Sequence, residues 1–347
     1  MKKIILGILV VLLLLGGALG GYLYYVAYGT NVITSTTSAG IPEDNVLVIP
    51  TSVQSINELT ALLQQENLIK NDLSFWLMAK GMKYRVKAGK YKIPAATKTS
   101  RQLIKVLRGS QMSIKVTFHN FRVKEQLAGH LAQQIETDST TVAQMLNDEA
   151  LVATYGYTPQ TIMAMFIPNT YEVYWNTTAK EFLDRMQKEN KKFWNAERLA
   201  KAEALEMTPT EIYTLASIVE AETQYKPERP RVAGVYLNRL QTEGWKLEAD
   251  PTVIFATGDF SIRRVLNRHL ETDSPYNTYR YAGLPPGPIY MASISSIDAV
   301  LNHEEHNYMF FCAKVPEVGM PTSHAFAKTL RQHLNNARAY QRWLSTQ

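Results

Sequence analysis

Cysteine is nearly absent: Cys312 is the only one among 347 residues. No internal disulfide can staple the chain, so its core must hold it together. Positive charge is missing from a long early stretch, since no Lys or Arg follows Lys2 and Lys3 until Lys70. Negative charge is missing from another, because Lys80 to Lys124 holds thirteen Lys or Arg and no Asp or Glu. Several signatures are lacking altogether: a P-loop, a GxGxxG after a strand, GxSxG, HExxH and paired CxxC. That excludes the usual phosphate cradle, dinucleotide fold, nucleophile elbow and zinc sites. His303-Glu304-Glu305-His306 is the one close His pair at helical spacing, with no third ligand near it in sequence. It reads as solvated helix surface, and neither a metal nor a cofactor is expected.

What is present is globular in composition, 46% apolar and 20% charged. Residues 4–27 run for 24 positions without a charge. As a helix they would extend ~36 Å, enough to cross a hydrocarbon core with some tilt. With Lys2 and Lys3 ahead of this run, the positive-inside rule keeps the N-terminus cytoplasmic and everything after residue 28 outside. A cleaved signal peptide is the alternative. The length of the run and an interfacial belt of Tyr22, Tyr24, Tyr25 and Tyr28 favour an uncleaved single-pass anchor in the cytoplasmic membrane.

Residues 29–44 are small and polar and read as a tether. Residues 46–50 read as a strand, Ser55 with Glu58 as a capping box before a helix, 71–82 as a second helix, GKYKIP as a strand, and Thr99 with Gln102 as the start of a third helix that Gly109 stops. Strand, turn and helix then recur over 114–135. At an offset of 68, Val48, Leu59, Leu63 and Gln65 meet Val116, Leu127, Leu131 and Gln133, which suggests two copies of one small β-α unit. The basic run from Lys80 to Lys124 is either a solvated face or the mark of an anionic partner. Outside the membrane, phospholipid headgroups or acidic envelope polymers suit it better than nucleic acid. Residues 45–150 form this N-terminal region, and 155–345 read as a separate α/β domain in which helix and loop alternate from Thr208 onward.

The chemistry concentrates in that second domain. Thr208, Pro209 and Glu211 open a helix through EIYTLASIVEAET. Its apolar stripe is Ile212, Leu215, Ala216, Val219 and Thr223. Glu220 and Glu222 flank the stripe on opposite sides, and periodicity does not choose between them. Further on come Glu248-Ala249-Asp250-Pro251-Thr252, then Ser274-Pro275-Tyr276-Asn277-Thr278-Tyr279, then a Gly/Pro-rich GLPPGPI. Aromatic rings beside amide and hydroxyl groups suit sugars, although a rigid turn packed by tyrosines uses the same residues. Ser323-His324-Ala325-Phe326-Ala327-Lys328-Thr329 is read as entering a C-terminal amphipathic helix.

LASIVEAET, ADPTVIF, SPYNTYRYAGLPPGPI and SHAFAKT, in this order, resemble the endolytic murein transglycosylase family (MltG, YceG-like). FIPNTYEVYW upstream is similar to the family's Pro-Asp-Thr-Tyr segment. The resemblance covers nearly the whole chain and is densest over 210–330. It implies an α+β fold: an N-terminal transmembrane helix, small LysM-like β/α units, and a C-terminal α/β catalytic domain. The implied activity is cleavage of nascent peptidoglycan glycan strands at the MurNAc–GlcNAc bond, leaving a 1,6-anhydro-MurNAc end, with penicillin-binding synthases as plausible partners. It implies Glu220 as the catalytic acid, and Asp250, Thr252, Tyr276, Asn277, Thr278, Tyr279 and His324 as cleft residues that bind substrate. Three positions depart from the pattern: Ser323 where Gly is expected, Gln332-His333-Leu334 in place of Glu-His-Asn, and Asn169 in place of Asp.

A single acid suffices for such an enzyme, because the C6 hydroxyl of the sugar is a tethered nucleophile. Two other readings stand beside it. One is a lysozyme-type hydrolase pairing Glu220 with Asp250. The other is a non-catalytic glycan-binding scaffold for wall synthesis.

Overall fold

The computed structural model describes residues 2–33, 45–316 and 323–346, in a mixture of helix and strand. It opens on α1 (Lys2–Tyr28), in which Leu6–Val26 is long and apolar enough to cross a membrane. Its 21 residues rise ~32 Å. Leu13 and Leu14 are 74% and 68% exposed, so this apolar surface is not covered by the other described residues.

After α1 come β1 (Val46–Ile49), α2 (Ile56–Gln65), α3 (Asp72–Gly81), β2 (Gly89–Lys92) and α4 (Ser100–Arg108). The expected capping boxes at Ser55 and Thr99 start α2 and α4. β1 and β2 pair antiparallel, with Leu47 opposite Tyr91. Leu59, Leu63, Phe75, Leu103 and Leu107 fill the core beneath them. The segment expected as a tether is packed at its start. The Asn31 amide donates to the Asn71 carbonyl (2.9 Å) and the Ser100 hydroxyl (2.8 Å), and accepts from the Asn71 N–H (2.7 Å). Val32 bridges to Ile69. One amide that satisfies both backbone groups of Asn71 gives this stretch a fixed place that its small polar composition does not reveal. Residues 34–44 of the same segment lie outside the described residues.

The chain continues through β3 (Ser113–Thr117), α5 (Lys124–Gln134), α6 (Ser139–Asn147), α7 (Glu149–Thr154) and β4 (Thr170–Tyr174), and β3 pairs with β4. Next come α8 (Ala179–Phe193), α9 (Ala196–Ala204), α10 (Pro209–Glu222), α11 (Arg229–Gln241), α12 (Asp250–Thr257), α13 (Asn267–Leu270) and α14 (Ile294–Leu301). β5 (Phe310–Ala313), β6 (His324–Ala327) and α15 (Leu330–Leu344) end the chain.

Two compact units result. The first holds residues up to Val116 with Gln134–Thr137 and Glu172–Thr178, and the second holds Thr117–Gln133, Asp138–Tyr171 and everything from Ala179. The division expected at 150–155 falls inside the second unit. There Tyr155 donates to Asp184 (2.7 Å) and Tyr157 to Asn190 (3.2 Å), both on α8.

Helix α10 is the centre of the second unit. Thr208 caps it, Pro209 holds its first position and Glu211 closes the capping box. Every residue from Ile212 to Glu220 is buried. A helix buried all round is a core helix, and the single apolar stripe read from periodicity does not describe it. α11 and α14 pack against it.

Two local expectations are corrected. Strands β5 and β6 pair antiparallel, Ala313 opposite His324, so His324 sits in a strand rather than at a helix entrance. Their sequences, FFCA and HAFA, offer none of the polar alternation that marks a strand. His303 to His306 lie in irregular backbone after α14, not on a helix surface. Gly234 explains the packing of this loop on α11, because a Cβ there would meet the Glu304 carbonyl at 2.5 Å and His306 Nε2 at 2.8 Å. The Asn238 amide then donates to the His306 and Tyr308 carbonyls, at 2.8 and 3.0 Å. Among the described residues no cluster of three metal-ligating side chains occurs.

Candidate active site

The last turn of α10 places Glu220 and Glu222 in opposite surroundings. Glu220 is 6% exposed. Arg229, at the start of α11, grips it with two parallel bonds of 3.0 Å. The N-terminus of α14 supplies the rest: the Ser293 N–H at 3.2 Å, the Ser296 hydroxyl at 2.6 Å, and the Ser293 hydroxyl. The arrangement locks three helices through one carboxylate, favoured also by the dipole of α14. Arg229 donates further to the Thr223 carbonyl and to Ser295. Glu220 does not line the open cavity nearby.

Glu222 does. That cavity, about 400 Å³, lies within the second unit and is walled by α10, α11, the start of α12, β5, β6 and α15. Tyr236 donates to Glu222 at 3.1 Å. Burial pushes the Glu222 carboxyl above the usual carboxylate range. The charge of His324, the Tyr236 bond and Arg239 work against that shift, and the charge of Asp250 adds to it. Asp250 faces the same cavity and accepts from the Tyr279 hydroxyl at 2.6 Å.

His324 reaches the cavity from β6, held from behind. Its Nδ1 lies 2.7 Å from Glu228, its backbone N–H donates to the same carboxylate at 3.0 Å, and Thr223 donates to Glu228 at 2.6 Å. Burial disfavours the charged ring, but the Glu228 bond and charge, with Glu222, outweigh it and raise the His324 pKa. Burial works against the Glu228 charge as well, yet the bonds from His324 and Thr223 carry its pKa below the usual value. Arg239 is fixed to the Met309 carbonyl (2.8 Å) and the Leu247 carbonyl (2.5 Å).

Of the residues implied by motif, Asp250, Tyr279 and His324 therefore converge on one cavity. Thr252, Asn277 and Thr278 are each at most 1% exposed. The Thr252 and Thr278 hydroxyls bond at 2.7 Å, and the Asn277 amide donates to the Leu270 and Thr272 carbonyls. They shape the loop that presents Tyr279. Tyr276 lines a different cavity, against Phe255. Glu222, Tyr236, Arg239 and Glu228 join the site from outside the implied set. For Glu222 the only sequence signal is its flanking position beside the stripe, which Glu220 shares.

A family model described as YceG-like matches residues 48–339. The chain belongs to the YceG-like family. A YceG-like protein of Listeria monocytogenes, solved by crystallography, superposes with a TM-score of 0.54 at 27% identity, covering 84% of this chain and 98% of that one. A protein of Bacillus subtilis named endolytic murein transglycosylase is 27% identical over 303 residues, covering 81% of each chain. One of the same name from Streptococcus pneumoniae is 24% identical over 353 residues, covering 91% of this chain and 62% of its own length.

Proposed function

We propose that this YceG-like chain is a membrane-anchored endolytic transglycosylase of peptidoglycan, with Glu222 as its acid and base. The observation that carries this reading is a carboxyl raised by burial yet facing an open cavity, flanked by Asp250 and His324. Glu220, implied by motif, has both oxygens engaged by Arg229, Ser293 and Ser296, which supports a positioning role at the end of α10.

In this scheme protonated Glu222 gives its proton to the glycosidic oxygen as the bond from MurNAc C1 breaks. The C6 hydroxyl of the same MurNAc attacks C1, and its proton passes to the Glu222 carboxylate. The products are a GlcNAc hydroxyl and a 1,6-anhydro-MurNAc end, no water is consumed, and the acid is regenerated. A His324 ring bonded to Glu228 through Nδ1 can offer Nε2 to substrate oxygens, and Asp250 and Tyr279 can meet sugar hydroxyls.

The remaining modules fit this role. Helix α1, with Lys2 and Lys3 ahead of its apolar stretch, suits an anchor whose N-terminus is cytoplasmic. The strand–helix–helix–strand order closed by β1 and β2 is consistent with a LysM-like glycan-binding module. Leu127 and Leu131 are as buried as Leu59 and Leu63 at the offset of 68, in keeping with a duplicated unit. Nascent strands beside penicillin-binding synthases are the proposed place of action. Asp250, a second carboxylate in the same cavity, motivates the lysozyme-type alternative. Mass spectrometry of digested peptidoglycan separates the two: the transglycosylase leaves ends one water lighter than those of the hydrolase, and reducing ends alone would overturn this proposal.

A further inference from the structure

A further cavity of the second unit, about 260 Å³, is bounded by Arg122, Lys124, Asn147, Phe255 and Tyr276 among others. It shares two elements with the Glu222 cavity. Helix α12 carries Asp250 into the first cavity and Phe255 into the second, five residues and ~7.5 Å along its axis. The loop after α13 carries Tyr279 into the first and Tyr276 into the second.

Its cations lack a salt-bridge partner among the described residues. Arg122 and Lys124 are both half-buried, and among the described residues neither forms a salt bridge. Among the described residues the Lys124 ammonium donates only to neutral acceptors, Asn147 Oδ1 at 2.5 Å and the Pro159 carbonyl at 2.9 Å. The Arg122 guanidinium, which lines the cavity, also lies over the rings of Phe260 and Tyr290, 5.2 and 5.6 Å from their centroids, and no side-chain hydrogen bond of it is seen among the described residues. Glu125, the acid at this cavity, is exposed. Burial lowers the Lys124 pKa, with Glu125 opposing it, as expected where desolvation lacks a bound counter-charge. Phe255 and Tyr276, with ring centroids 4.7 Å apart, supply an apolar wall.

Two half-buried cations without a salt-bridged carboxylate, beside an aromatic wall and with only the exposed Glu125 near, match a carboxylate carried on a partly apolar body. We propose that this cavity binds a free carboxylate of the peptide stem on the strand whose glycosidic bond occupies the Glu222 cavity. The inference rests on the function proposed above and names a further part of its substrate. Arg122 forms the bidentate contact, and Lys124 adds charge from the first turn of α5.

The test uses the full-length protein in detergent, with two readouts. First, a synthetic stem peptide with free carboxylates is titrated by calorimetry against its amidated form. The wild type should bind the amidated peptide about tenfold more weakly, Arg122→Gln should lose that discrimination, and Arg122→Lys should keep part of it. Equal affinity for both peptides overturns the inference. Second, the preference in kcat/KM for peptide-bearing over peptide-free glycan should fall about tenfold in Arg122→Gln, through KM. An equal loss on both substrates would mean a merely structural Arg122. The titration needs no turnover, so carboxylate-dependent binding by a protein that cuts no glycan would sink the proposed function and leave this site standing. Glycan cleavage without such binding would do the reverse.

Discussion

Replacing Arg229 by Met tests the buried clamp on Glu220 apart from Glu222, the proposed acid of α10. The Arg229 side chain is 2% exposed and that of Glu220 8%. The variant leaves the Glu220 carboxylate in the core with three serine-derived donors and no counter-charge. Breaking a buried pair on one side costs about 3–5 kcal/mol. At about 2–4 °C per kcal/mol for a unit of this size, the unfolding midpoint of the second unit should fall by about 6–20 °C. Near-UV circular dichroism on heating reports it, with the first unit's transition as an internal control. Glu220→Met combined with Arg229→Met should recover part of the loss, since no charge is then left buried. Below the midpoint, folded Arg229→Met should still cut glycan. A midpoint within about 2 °C of the native value would refute the clamp, and an inactive protein with a native midpoint would put the pair in the chemistry.

Four further outcomes follow from the structure. Glu222→Gln should not lower the midpoint at neutral pH, because a carboxyl raised by burial works against the fold once ionised; calorimetry checks this. With Glu222 acting as the acid, kcat should decline as pH rises through its raised pKa, and Asp250→Asn, which removes a like charge, should move that limb to lower pH. The Glu228–His324 pair gives stability that fades in two directions. The His324 part is full below the ordinary imidazole value and is lost as pH rises through its raised pKa. The Glu228 part is present above the ordinary carboxylate value and is lost as pH falls through its depressed pKa. Midpoint against pH should show both limbs, and Glu228→Gln should flatten them. Asn31→Ala should destabilise the first unit by about 1–3 kcal/mol, since it orphans part-buried backbone groups of Asn71 and removes a buried bond to Ser100, measured by denaturant unfolding.

Local signals in the sequence carried the elements well. Capping chemistry located the starts of α2, α4 and α10 because a cap is written within four residues. The apolar run of α1 was equally plain. What sequence could not give was contact at a distance. β5 and β6 are four residues each and half-buried throughout except at Ala327, so no period marks them. The packed start of the tether depends on Asn71 and Ser100, 40 and 69 residues away. The surroundings of Glu220 and Glu222 are the sharpest case. Two residues apart, they are separated by Arg229 and Ser293 on one side, and by His324, about a hundred residues on, on the other. Motif resemblance found the segment, and three-dimensional surroundings distinguish its two acids.

The most direct measurement is product analysis with the two conservative variants side by side. Full-length Glu222→Gln and Glu220→Gln, each verified as folded, are incubated with uncross-linked glycan strands, and anhydro ends are counted by mass spectrometry. The account predicts no anhydro product from Glu222→Gln and residual product from Glu220→Gln in proportion to its folded fraction. Anhydro ends from folded Glu222→Gln, with none from folded Glu220→Gln, would contradict it.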